Sequence, residues 1–180
     1  MQRQALSMIP IVANGRTAHP PIVVVMGVAG SGKTTIGRQL AQALGVPFVE
    51  GDDFHDPENI ERMARGEPLT DQLRQPWLDR LNRELHRRRG TGVVLAASAL
   101  TDAARRRLTE GLDDVRFVVL TGDRELLRKR LEQRKGHFFD PDLLDSQLAT
   151  LEVPDDGIVV PIDGTPEEVT ERALAQLTRN

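Results

Sequence analysis

The sequence has no cysteine, no tyrosine and a single tryptophan. Without cysteine there can be no disulfide, no thiolate nucleophile and no thiolate-based zinc or iron–sulfur site. That composition suits a reducing compartment, so a cytoplasmic protein is expected. Aromatic residues make up 3% of the chain, too few for the stacking platforms that bind single-stranded nucleic acids. A basic surplus is also missing: 24 Lys and Arg stand against 27 Asp and Glu, a net charge of −3. Sequence-independent binding to nucleic acid therefore has no electrostatic basis. No stretch approaches the ~20 consecutive apolar residues of a membrane helix. The opening MQRQALSMIPIVANGRTAHPP lacks the continuous apolar core of a secretory signal. Internal repeats and low-complexity tracts are absent as well.

What is present describes one ordinary globular domain. The 180 residues, 39% hydrophobic and 28% charged, fall within the usual size and composition of a single folded unit. Residues 1–20, interrupted by Pro10, Gly15 and Pro20, read as a poorly ordered tail in which Met8 is a second candidate start. Residues 21–180 read as one domain. Short β-branched runs at Ile22–Met26, Phe48–Glu50, Gly92–Ala97, Val115–Leu120 and Ile158–Ile162 are continuous rather than alternating, the pattern of strands buried on both faces. Between them lie segments of helical period: Thr34–Leu44, Pro57–Arg65, Pro76–Arg89, Thr101–Glu110, a helix capped by Asp123, one opening at Asp140-Pro141, and a last one opened by the capping box Thr165-Pro166-Glu167-Glu168. Regular alternation of strand and helix predicts an α/β fold, a five-stranded parallel sheet with helices on both faces. Two excursions interrupt it, one around residues 55–80 and one around 134–141.

The string Gly27-Val28-Ala29-Gly30-Ser31-Gly32-Lys33-Thr34 matches G-x-x-x-x-G-K-[ST] between a buried strand and a helix. Glycines let successive backbone N–H groups converge on one anion, and the helix N-terminus adds its positive dipole end. This predicts a nucleoside triphosphate site, with Lys33 on the β- and γ-phosphates and Thr34 on Mg²⁺; Thr35 completes the loop. The Asn-Lys-x-Asp motif expected of a GTPase is absent. The third strand ends in Ala96-Ala97-Ser98 and the fourth in Thr121-Gly122, without the acidic residue an ATPase motor would place there. The acidic pair follows the second strand instead, as Gly51-Asp52-Asp53, at the ligand-binding carboxyl edge of a parallel sheet. Asp52 there is a candidate to accept a substrate hydroxyl proton or to hold magnesium through water. Within the first excursion Asp52, His55, Asn59, Arg62, Asp71 and Arg74 gather hydrogen-bonding and cationic groups in a short stretch. Trp77 and Met63 read as core residues. Arg130 and Arg134 lie four apart on one helical face.

From Gly51 onward the sequence resembles the gluconokinase family of small phosphate-loop kinases. The resemblance is carried by GVAGSGKT, EGDDFHDPENIERMARGEPLTD, RQPWL, SAL, RLEQRKGHFF and LLDSQLATLE, and covers about Val23 to Asp163. It implies a nucleoside-monophosphate-kinase-like fold and transfer of the ATP γ-phosphoryl group to the 6-hydroxyl of D-gluconate. It also implies that Arg130 stacks on adenine, that Arg134 reaches the phosphates, that the segment around Gly136 is a lid, and that Arg74 clamps the substrate carboxylate beside His55, Asn59, Arg62, Ser98 and His137. Such families often form dimers, so a homodimer is compatible with it. The departures fall on the substrate side: Thr101 replaces a lysine after Ser98-Ala99-Leu100, Ala104-Arg105-Arg106 replaces Tyr-Arg-Asp, Leu73 replaces an aspartate before Arg74, and Phe139-Asp140 replaces Met-Pro. Arg105 is a candidate to supply the missing charge. The rival expectations are a kinase for another sugar acid or polyol, of shikimate-kinase type, and a module that binds ATP without transferring phosphate. The shikimate-kinase type would want a glycine triplet where Ser98-Ala99 stands.

Overall fold

The computed structural model describes residues 20–133 and 141–179. The chain begins with strand β1 (Ile22–Met26) and helix α1 (Lys33–Leu44), then strand β2 (Phe48–Glu50) and a short 3₁₀ turn (Gly51–Phe54). Helices α2 (Pro57–Ala64) and α3 (Asp71–Arg87) form the first excursion. Strand β3 (Val93–Ala96), helix α4 (Asp102–Leu108), strand β4 (Val115–Thr121) and helix α5 (Arg124–Glu132) follow. Helix α6 (Pro141–Thr150), strand β5 (Ile158–Pro161) and helix α7 (Pro166–Leu177) complete the order. The five strands form one parallel sheet in the order β2-β3-β1-β4-β5. The expected tail (1–20) falls outside the described residues except for Pro20, and the expected lid (134–141) except for the backbone of Pro141.

β1 is central, and its sequence states why. Val23 and Val25 pack into one core layer with Ile36, Leu40, Leu127, Leu144 and Val169, while Ile22 and Val24 pack into the other with Trp77, Leu81, Leu85 and Leu108. A strand covered on both faces has no side for polar residues, hence IVVVM. The edge strand β5 alternates buried and exposed residues, with Val159 turned outward.

One helix start and one cap differ from the sequence reading for local reasons. α3 begins at Asp71, not Pro76, because Thr70 caps it by accepting the Leu73 N–H at 3.3 Å. Pro76 then lies inside the helix, where it removes one backbone hydrogen bond on an exposed face. Asp123 stands at the N-cap of α5, yet its side chain makes no capping bond. The Thr165–Glu168 box is present in full, with both reciprocal bonds.

Gly51 serves the packing of the sheet. A Cβ there would lie 2.5 Å from the Ala96 carbonyl oxygen, so glycine lets the end of β2 press against β3 rather than against a ligand.

Candidate active site

The phosphate loop joins β1 to α1 as expected. Gly27, Gly30 and Gly32 carry φ of 154°, 80° and 92°, conformations that L side chains rarely adopt. Space is as restrictive as the backbone angle. A Cβ on Gly27 would meet the Leu120 carbonyl oxygen at 2.8 Å, and one on Gly30 would meet Leu131 Cγ at 2.8 Å. The loop is thus a cradle that larger residues would fill. Lys33 Nζ lies over the loop and donates to the Val28 carbonyl at 3.2 Å. Ser31 is buried, and its hydroxyl has no partner among the described residues.

The bond that joins this loop to the rest of the site was not anticipated. Thr34 Oγ1 donates to Glu50 Oε2 at 2.6 Å. Glu50 was read only as the last residue of a strand, yet it is the carboxylate that reaches the phosphate loop. Its donor set suits a hard cation: donating its proton to Glu50 leaves the Thr34 hydroxyl with lone pairs to offer a metal. Among the described residues no cluster of three or more acidic or histidine side chains could hold a metal alone.

Past the end of β2, one face of α3 holds the turn that carries Asp52 and His55. Trp77 Nε1 donates to the Gly51 carbonyl at 2.7 Å. One turn further on, Arg80 donates to the Phe54 carbonyl at 2.7 Å and pairs with Asp56 at 2.8 Å. The His55 ring lies flat on Trp77, with centroids 4.4 Å apart and planes 9° from parallel. Trp77 is buried, as the sequence reading expected. Asp52 and Asp53 are exposed, and Asp52, Arg74 and Arg80 are close enough to act electrostatically on His55. Arg74 is partly exposed, with Asp71 at 3.8 Å as its ion-pair partner. Ser98 follows β3 at the same carboxyl edge and is partly exposed.

Other expected ligands are placed elsewhere. Asn59 is buried and donates to the Leu73 carbonyl at 3.1 Å, which joins α2 to α3. Arg62 pairs with Glu58 at 3.0 Å and lies 3.8 Å from Glu67. Arg105 does not replace the missing lysine. It is buried, and its Nη1 donates to the carbonyls of Leu100 and Glu152 at 3.1 and 2.7 Å. Met63 lies on the exposed face of α2, not in the core. Arg134 and His137 lie outside the described residues.

Beside the phosphate loop, a cavity of about 220 Å³ is lined by Gly30, Ser31, Gly32, Thr35, Ile36, Arg130, Ile162, Gly164, Pro166 and Val169. Arg130 is fixed at its wall by donating to the Ile162 carbonyl at 2.9 Å. A flat apolar heterocycle next to a guanidinium matches this lining.

A family model described as AAA domain matches residues 22–154. The gluconokinase of Gluconobacter oxydans is 44% identical over 162 residues, spanning 86% of this chain and 90% of that protein. The crystal structure of a gluconokinase from Sinorhizobium meliloti superposes with a TM-score of 0.82 at 42% identity, covering 89% of this chain and 93% of that one. A shikimate kinase from Aquifex aeolicus matches with a TM-score of 0.58 at 18% identity, covering 86% of this chain and 94% of that one, a likeness of fold alone.

His55 supplies a pH signature. Burial lowers its pKa below the ordinary 6.5, helped by Arg80 and Arg74 and opposed by the charges of Asp52 and Asp56. As pH falls below 6.5, the unfolded chain takes up this proton before the folded one does, so folded stability declines across that window and levels off below the folded pKa. Thermal melts from about pH 7.5 to about pH 5.5 should show a steeper loss in wild type than in His55→Gln. Equal slopes would place the histidine in an ordinary solvated setting.

Proposed function

The chain belongs to the gluconokinase family, and from that premise we propose that it transfers the γ-phosphoryl group of ATP to the 6-hydroxyl of D-gluconate. The observation that carries this reading is the Thr34–Glu50 bond. It sets the phosphate loop against the strand end whose next residues, Gly51 to His55, form the acceptor-side turn. A phosphate donor site and a polyol site side by side are what such a transfer requires.

The roles follow from chemistry. The loop amides and Lys33 hold the β- and γ-phosphates, and Arg130 flanks the adenine in the neighbouring cavity. Asp52 orients the 6-hydroxyl and receives its proton as the new O–P bond forms. The bond from the γ-phosphorus to the bridging oxygen breaks, and ADP leaves. The transition state is loose, so these groups contribute mainly by positioning and by countering charge. Arg74 pairs with the gluconate carboxylate, and His55 and Ser98 meet its hydroxyls. Thr34 and Glu50 would hold magnesium, which when bound neutralises charge on the β- and γ-phosphate oxygens. Arg134 on the phosphates and His137 on the substrate remain proposals from the family pattern. Asn59, spent on joining α2 to α3, drops out of the acceptor set. The shikimate-type alternative is not favoured, since its support is fold likeness alone.

Two experiments test these assignments. Arg74→Ala should raise the KM for gluconate roughly 10–100-fold while leaving the KM for ATP nearly unchanged, because a charge-assisted pair is lost on one substrate only. Equal increases for both substrates would make Arg74 structural. Asp52→Asn should cut turnover by about 10²–10⁴-fold at any magnesium concentration. Glu50→Gln should instead raise the magnesium requirement and recover turnover as magnesium is added. A silent Asp52→Asn beside a Glu50→Gln that magnesium cannot rescue would transfer the proton-accepting role to Glu50.

A further inference from the structure

The phosphate loop rests on the two helices that flank residues 134–140. Gly30 sits against α5, so close that an added Cβ would lie 3.1 Å from the Leu127 carbonyl oxygen. On the other side, the backbone N–H of Ala29 donates to Gln147 Oε1 of α6 at 2.7 Å. That contact joins residues 118 apart in sequence, and the donor can only be the amide, so the carboxamide oxygen must face the loop.

Helix α6, which carries Gln147, is held in place from several directions. Leu144, one turn earlier, is buried in the core. Asp145 receives a two-point bond from Arg124 of α5, at 2.5 and 2.6 Å. Glu152, just past the helix, accepts the Asp102 N–H at 2.5 Å and donates its own N–H to the Leu100 carbonyl at 2.9 Å. A helix anchored this way presents Gln147 to the loop from a fixed backbone.

The loop needs such a fixture. Convergent N–H dipoles repel one another until an anion arrives, so a cradle formed before binding requires holding from outside. Two loop peptides are engaged within the protein: Ala29 through Gln147, and Ser31, whose N–H turns back to the Val28 carbonyl at 3.2 Å. We propose that Gln147 is a positioning residue for the phosphate loop: by taking the Ala29 N–H, it fixes which peptides face the nucleotide phosphates and holds the loop ready before ATP binds. This rests on the reading of the loop as the ATP site.

Gln147→Met keeps much of the side chain's bulk and removes the acceptor; Gln147→Glu keeps an acceptor oxygen. The tests use the full chain, with Mg-ATP binding measured directly in the absence of gluconate. In Gln147→Met the dissociation constant for ATP should rise roughly 10-fold or more, as expected when a partly buried amide loses its partner. The KM for gluconate should stay within about twofold. By NMR, hydrogen exchange at the Ala29 amide should quicken about 10-fold or more in Gln147→Met and stay slow in Gln147→Glu. Wild-type ATP affinity in Gln147→Met would overturn the proposal, whether or not the Ala29 amide exchanges faster. So would a lowered melting temperature with unchanged ATP affinity, which marks a structural residue only. If the wild-type chain itself binds no ATP, the reading beneath the proposal fails with it, and that outcome is distinct from the others.

Discussion

A single side-chain bond, from Thr34 to Glu50, makes one site out of two parts of the sheet. In the order β2-β3-β1, the strand that ends in Glu50 and the strand that opens the phosphate loop are not neighbours. With strands about 4.8 Å apart, their axes are separated by roughly 9–10 Å. The gap closes because the intervening strand ends in small residues. Ala96 and Ala97 are fully buried and put no bulk between the two. Gly51 lets the end of β2 settle directly on the Ala96 carbonyl, and Trp77 fixes it there through the Gly51 oxygen. A side chain at position 51 would strike the Ala96 carbonyl and push the end of β2 away from β3.

From this junction the helices divide the work. α3 holds the acceptor-side turn through Trp77 and Arg80. α5 and α6 hold the phosphate loop through the Gly30 contact and Gln147. Glu152 and Arg105 then tie the end of α6 to the loop that follows Ser98. In the proposed roles, each reacting partner would lie on elements packed against a common sheet. Phosphoryl transfer gains from that, since little covalent chemistry is asked of the protein and most of the barrier lowering comes from placement and countercharge.

How much of this could be read from the sequence depended on distance along the chain. The buried strands, the phosphate loop and the Thr165 capping box are written in consecutive residues, and each lies where expected. The start of α3 was misplaced because Pro76 is a strong helix-opening signal, whereas Thr70, the residue that caps it, is an ordinary one. Glu50 and Gln147 went unrecognised for a different reason. Their partners are 16 and 118 residues away, and only the strand order and the packing of α6 bring them together. Arg105 was misread because its charge was visible and its burial was not; the backbone carbonyls around it absorb its donors. Asn59 gave the same signal as a ligand would, a polar residue in a polar segment, but its amide is used between two helices.

The central claim is that this site joins ATP to the primary hydroxyl of gluconate. The most direct measurement is phosphorus NMR of the reaction catalysed by the purified chain with Mg-ATP and D-gluconate. The account predicts equal formation of ADP and of a phosphate monoester at carbon 6, with negligible ATP consumption when gluconate is left out. ATP consumption that gluconate does not increase, or a monoester formed only with a different sugar acid, would contradict it.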